Sequence, residues 1–218
     1  MIKADHKKWA RRLYDFYVPR LLRSNFQHFY LTNEFPQIPN DEGLIITPNH
    51  FSWWDGFFID YTLSHFSNRK IYMLMLEEQL KRYWFFQKVG AFSINPKNPK
   101  SIKTTFDYII EVVCNPKNVL LFYPQGEIED YVKRPLKVKE GLKTILNMTH
   151  SKVNILPVAF KIKYGNTKKP DLLVRFGETI ASSKAKEDFN LFIDSFNSNV
   201  DFLDKVPSKN YKENLFKR

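Results

Sequence analysis

One cysteine among 218 residues, Cys114, rules out an internal disulfide and a cysteine-based zinc site. It falls on the apolar side of an expected helix, so it is assigned to the core, and a reducing compartment is the default. His6, His28, His65 and His150 show no spacing that would collect them around an ion, and no metal is expected. Seven glycines and twelve prolines are too few and too scattered for a low-complexity segment. No internal repeat and no linker interrupts the chain, which points to one domain. Long apolar runs are missing too: the longest, such as Ile71 to Leu76, fall well short of the about 20 residues that cross a bilayer. The basic N-terminus lacks the apolar segment and the small-residue cleavage site of a secretory signal. These absences describe a protein that is soluble or peripheral to a membrane. Acidic residues are outnumbered, 23 against 34 Lys and Arg, and the net charge of +11 calls for an anionic partner.

Aromatic residues, by contrast, are plentiful. They make up 16% of the chain, with twenty Phe, inside a hydrophobic total of 43% that is ample for a core. Rings together with cations suit an anionic lipid surface, and would also suit single-stranded nucleic acid. No nucleic-acid motif is present and the cations are spread over faces instead of tracking one groove, so no nucleic-acid partner is expected.

From Asp5 to Tyr30 apolar residues recur at three- and four-residue steps, Trp9, Leu13, Phe16, Tyr17 and Leu21 among them, beside Lys7, Arg11, Arg12 and Arg20. The spacing predicts a basic amphipathic helix, kinked or divided at Pro19, whose apolar stripe serves a membrane surface, the protein's own core, or both. Residues 1–35 are therefore set apart as an N-terminal amphipathic segment, 36–206 as the main domain and 207–218 as a polar, loose tail. Strands are expected at 43–47, 71–76, 89–94, 119–123, 153–160 and 172–176. Helices are expected at 55–66, 78–88, 101–113 (capped by Ser101), 139–149 and 186–203. Strands alternating with helices define an α/β domain with a largely parallel central sheet flanked by helices. In such sheets chemistry gathers where strands end.

One strand end stands out. Gly43 to Thr47 reads as a buried strand stopped by Pro48, and His50 follows at its exit. Ser52 is a good N-cap for the next helix, which puts Asp55 a little over one turn into it and within reach of the imidazole. A carboxylate on one ring nitrogen fixes the tautomer and leaves the other nitrogen free to accept a proton. No Ser or Cys nucleophile is comparably placed, so the pair reads as a base acting on a substrate hydroxyl or amine. The same two residues could instead only satisfy nearby backbone. Trp53, Trp54, Phe57 and Phe58 beside His50 would line an apolar groove, or pack as core.

The segment Asn49-His50-Phe51-Ser52-Trp53-Trp54-Asp55 resembles the N-H-x-x-x-x-D motif of the PlsC-like glycerolipid acyltransferases, the lysophosphatidate acyltransferase superfamily. Further blocks follow in that family's order. Val89 to Asn95 is similar to its G-x-F-x-x-R block, Phe122 to Ile128 to F-P-E-G-T-R, Val138 to Gly141 to F-K-x-G, and Ile155 to Ala159 to V-P-V. The resemblance implies transfer of a fatty acyl chain from a thioester, acyl-CoA or acyl carrier protein, to a lipid acceptor, with no cofactor. It makes His50 the general base and Asp55 its orienting partner. It also implies that Trp53, Gly90, Phe92, Asn95, Pro124, Gln125, Gly126, Glu127 and Lys139 line the substrate site. The turn at Pro124-Gln125-Gly126 could offer backbone amides to an oxyanion. The setting that follows is cytoplasmic, peripheral on the inner face of the membrane.

Departures from the family pattern matter. The block arginines fall at Asn95 and Ile128, a lysine at Glu77, and the glutamate and threonine of F-P-E-G-T at Gln125 and Glu127. A phosphate loses its bidentate partners there and meets carboxylates. An acceptor without a glycerol phosphate is therefore expected. The alternatives are a 1-acylglycerol-3-phosphate acyltransferase in which Lys97, Lys100, Lys133 or Arg134 replaces the lost cations, and a non-catalytic lipid-surface protein.

Overall fold

The structure, a computed structural model, describes residues 1–217. Its elements run α1 (Lys8–Asn25), β1 (Phe29–Leu31), β2 (Gly43–Pro48), α2 (Asp55–Leu63), β3 (Lys70–Leu76), α3 (Glu77–Arg82), α4 (Phe85–Lys88), β4 (Ala91–Ile94), α5 (Pro99–Val113) and β5 (Asn118–Leu121). They continue with α6 (Gly141–Met148), β6 (Val153–Lys163), β7 (Asp171–Phe176), β8 (Ile180–Ala181), α7 (Ser182–Glu187), α8 (Asn190–Lys205) and β9 (Glu213–Asn214). The strands form one sheet in the order β4-β3-β5-β2-β6-β7-β1-β9, with β8 on β6. Pairings from β4 through β6 are parallel, and β6–β7, β6–β8 and β1–β9 are antiparallel. The expected α/β fold with a mostly parallel, helix-flanked sheet is what the structure has.

Strand β2 is buried along its length, as a parallel strand covered on both faces must be. Leu44 and Ile46 face a core shared with α1 and α2, while Ile45 faces one built on α5, α6 and α8. On α1 the inward stripe is Ala10, Tyr14, Val18 and Leu22, spaced by four residues. Pro19 neither divides nor ends this helix, and Trp9, Leu13, Phe16 and Tyr17 stay exposed on another face. Arg11 joins α1 to α2 by gripping Asp60 with two nitrogens, at 2.8 and 2.7 Å.

Several expectations change. The N-terminal helix ends at Asn25, and Phe29–Leu31 is a strand, paired with β7 and β9. The tail is not loose: Glu213 and Asn214 pair with β1, and Leu215 is fully buried. Asn98, not Ser101, caps α5, its side chain accepting the Ser101 amide at 3.2 Å, with Pro99 as the first helical residue. The helices expected at 78–88 and 186–203 are each divided in two. Cys114 is exposed at the end of α5, so the core assignment fails.

Candidate active site

Where β2 runs out, two side chains continue its ladder. The Asn49 amide donates to the Phe160 carbonyl at 3.0 Å and accepts the Phe160 amide at 2.8 Å, which ties the strand exit to β6. One residue on, the loop after β5 takes over: the His50 N–H donates to Gln125 Oε1 at 2.6 Å. Gln125 Nε2 and the Glu129 amide both donate to the His50 carbonyl, at 3.3 and 3.0 Å. The main chain of His50 is thus held on both sides before its ring does anything.

The ring is held as well. Asp55 Oδ2 accepts from His50 Nδ1 at 2.9 Å and from the Phe51 and Ser52 amides at 2.8 and 2.9 Å. Five residues separate the two because the loop 51–54 wraps around the carboxylate and is closed by it. Asp55 is the first residue of α2, not a member of its second turn. Ser52 Oγ accepts only from the Trp54 amide and does not cap the helix. Asp55 is completely buried. Burial pushes its carboxyl above the ordinary carboxylate range, against the pull of His50 and the Ser52 and Phe51 amides. A carboxylate only accepts, so His50 Nδ1 carries the proton and Nε2 presents a lone pair, on a side chain 22% exposed. Tyr123 stacks on the imidazole, ring centres 4.2 Å apart. Its hydroxyl and Asp55 Oδ1 are both buried without a hydrogen-bond partner among the described residues. Burial, then the charge of Asp55, keeps that phenol protonated.

The other expected site residues divide. Pro124 and Gln125 are both buried, Gln125 against the main chain of His50, and the Gly126 amide is spent on the turn, donating to the Tyr123 carbonyl at 3.0 Å. Gly126 has φ of +72°, and the stem of Lys139 fills the space a side chain there would need. Lys139 Nζ pairs with Glu127 at 2.8 Å. Asn95 lies just past β4 and accepts the Lys97 amide at 3.1 Å. Ile128 is exposed. Trp53 is exposed beside the dyad, its ring 5.2 Å from Phe57. Gly90 and Phe92 do packing work: Gly90, at φ +118°, lies against the Ile71 carbonyl and the His6 ring, and Phe92 is fully buried against Tyr108. A substrate could touch Phe92 only by opening the core.

Sequence reasoning missed Tyr123 and Glu129. The first had a signal, since a tyrosine stands where the resembled block has phenylalanine. The second, four residues after Gln125 in an irregular loop, had none. A cavity of about 690 Å³ lies elsewhere, between α1, α2 and residues 67–70 at the start of β3. Its arginines are matched within the fold, Arg11 by Asp60 and Asp15, and Arg69 by the Glu42 and Pro39 carbonyls. Among the described residues no three His, Cys, Asp or Glu side chains gather as metal ligands would.

A strand-end histidine on a buried aspartate, over a mostly parallel sheet, is an arrangement that can serve as a base, and comparison with known proteins supplies the family. The acyltransferase family model matches residues 31–161, and the chain belongs to that family. Among solved structures it is similar to the 1-acyl-sn-glycerophosphate (LPA) acyltransferase PlsC from Thermotoga maritima. The TM-score is 0.64 at 16% identity, over 90% of this chain and 80% of that one, a likeness of fold. No curated protein sequence matches.

Proposed function

We propose that this acyltransferase moves a fatty acyl chain from a thioester, acyl-CoA or acyl carrier protein, to the hydroxyl or amine of a lipid acceptor lacking a glycerol phosphate. The observation that carries the chemistry is the 2.9 Å contact of His50 Nδ1 with buried Asp55, which leaves Nε2 as the free base. Nε2 takes the acceptor proton as the acceptor oxygen or nitrogen attacks the thioester carbonyl. The carbon–sulfur bond then breaks, and the imidazolium returns the proton to the leaving thiolate. Asp55 stabilises the imidazolium between the two transfers.

The acceptor class rests on what surrounds Glu127. Of the cations that could stand in for lost arginines, Arg134 is turned to α8, bonded to Asp201 at 3.0 Å and Asp204 at 2.9 Å. Lys133 is paired with Glu129, and Lys97 and Lys100 are exposed. Glu77, at the position of the family's lysine, is a carboxylate bound to Lys81. At Glu127 a dianionic phosphate would meet a carboxylate where the resembled block has a threonine. The second reading, a 1-acylglycerol-3-phosphate acceptor, is favoured by Lys139 alone, which lies over Gly126 but is paired with Glu127.

A lipid substrate implies a membrane. No helix among the described residues is long and apolar enough to cross one. The outward face of α1, with Trp9, Leu13, Phe16 and Tyr17, supports peripheral docking on anionic lipid. Trp9 meets Phe85, and Phe57 meets both Phe86 and Trp53, so aromatic side chains lie between that face and the loop that carries the dyad. Acyl-CoA and acyl carrier protein are cytoplasmic, which puts docking on the inner face. The test is transfer from labelled acyl-CoA to lysophosphatidate and to phosphate-free hydroxylated or amino lipids. Product on the phosphate-free acceptors is expected, and efficient use of lysophosphatidate would overturn the acceptor assignment. Activity surviving His50→Ala would overturn the mechanism.

A further inference from the structure

Gln125 stands where the family block has a glutamate, and it is buried beneath the main chain of His50 instead of facing a ligand. We infer that Gln125 is a positioning residue: its carboxamide acts as a surrogate peptide group that extends the ladder of β2 by one residue and sets the catalytic histidine. The inference rests on the acyl-transfer reading for its kinetic consequence, not for its geometry.

Three hydrogen bonds fix the amide's orientation. The oxygen accepts the His50 N–H at 2.6 Å, and the nitrogen donates to the His50 carbonyl at 3.3 Å and to Glu129 Oε2 at 3.0 Å. Glu129 has one oxygen on Gln125 and the other on Lys133, and Lys133 together with Gln125 holds its carboxyl below the ordinary range. With Glu129 ionised, the group facing it must donate. A side-chain amide supplies one acceptor and one donor at the spacing of a peptide unit, as Asn49 does toward Phe160 one residue earlier. A carboxylate at 125 would place an acceptor against two acceptors, the His50 carbonyl and Glu129. The family's glutamate therefore does not fit this chain unless Glu129 changes with it.

The prediction is a swap. Gln125→Glu lowers kcat roughly tenfold to a hundredfold with little change in KM for the thioester, because His50 shifts while the substrate surface stays. Glu129→Gln alone costs less. Combined with Gln125→Glu it restores at least about half of the lost activity on a logarithmic scale, since the amide introduced at position 129 would supply the missing donor. A separate reading comes from hydrogen exchange at the His50 amide, slow in the wild type and at least about tenfold faster in Gln125→Met, which keeps the volume and deletes every bond. Should Gln125→Glu not fold, Gln125→Met carries the kinetic test as well. Wild-type kcat in the Gln125 variants, a double variant no better than Gln125→Glu, or unchanged His50 exchange would each overturn the clamp. A wild-type protein that transfers no acyl group would overturn the functional reading, and the exchange measurement would still decide the clamp.

Discussion

The two halves of this site are built differently. Around His50 and Asp55 the geometry is fixed by buried hydrogen bonds: one carboxylate oxygen holds three donors, and a neighbouring loop holds the main chain. Around Asn95, Glu127 and Ile128 the surface is more open: Ile128 is exposed, Glu127 is held by Lys139 in an exposed pair, and Lys97 and Lys100 are exposed. The reacting half is preorganised and tolerates little change. The proposed recognition half consists of a few exposed side chains, and the chain departs from its family in both halves: at Asn95, Glu127 and Ile128 here, and at Gln125 under His50 there.

The contrast can be broken in order of expected effect. Asp55→Asn can no longer hold Nδ1 protonated, and transfer should fall roughly 10³- to 10⁴-fold in kcat with folding retained. A drop under tenfold would mean the carboxylate serves only the loop. Next, Arg11→Met leaves buried Asp60 without its cation and frees α1 from the helix that begins at Asp55. A loss of about 3 kcal/mol in urea unfolding is expected. An unchanged midpoint would show that the pair does not anchor α1.

Much of the reacting half was legible in the sequence because it is local. A strand, a stop and a five-residue spacing suffice to bring His50 and Asp55 together. What could not be read depends on partners distant in the chain. The tail looked polar, yet Leu215 is buried, because β1 offers an edge some 180 residues earlier. Cys114 looked apolar by helical phase, but it is the residue where α5 ends, and the phase no longer places it. Gly90 and Phe92 carry the family's motif, but packing accounts for both. Motif spacing does not distinguish a residue that touches substrate from one that supports the residue that does.

Two smaller effects concern the recognition half. Asn95→Arg with Ile128→Arg should raise transfer to a phosphate-bearing acceptor by roughly tenfold, through charge-assisted bonds, and leave the rate with phosphate-free acceptors within a few-fold. No gain would mean that acceptor choice lies elsewhere. The loop carrying Ile128 is tied to α8 by Asp204, which accepts from the Tyr131 hydroxyl at 2.6 Å, Lys161 at 2.7 Å and Arg134 at 2.9 Å. Burial pushes the Asp204 carboxyl up, but Lys161, Tyr131 and Arg134 outweigh it and hold it below its ordinary value. A depressed carboxyl contributes stability above its unfolded value and loses it as pH falls through the folded one. Asp204→Asn should therefore cost about 1 kcal/mol at pH 7 and progressively less below about pH 4. A cost independent of pH would show that the charge is not what holds the loop.

The most direct measurement is thiol release from acyl-CoA, followed in the presence of lipid extract, by wild type and His50→Ala side by side. The account predicts release coupled to acylated lipid in the wild type and at least about a hundredfold less in the variant. Equal rates from the two proteins would contradict it.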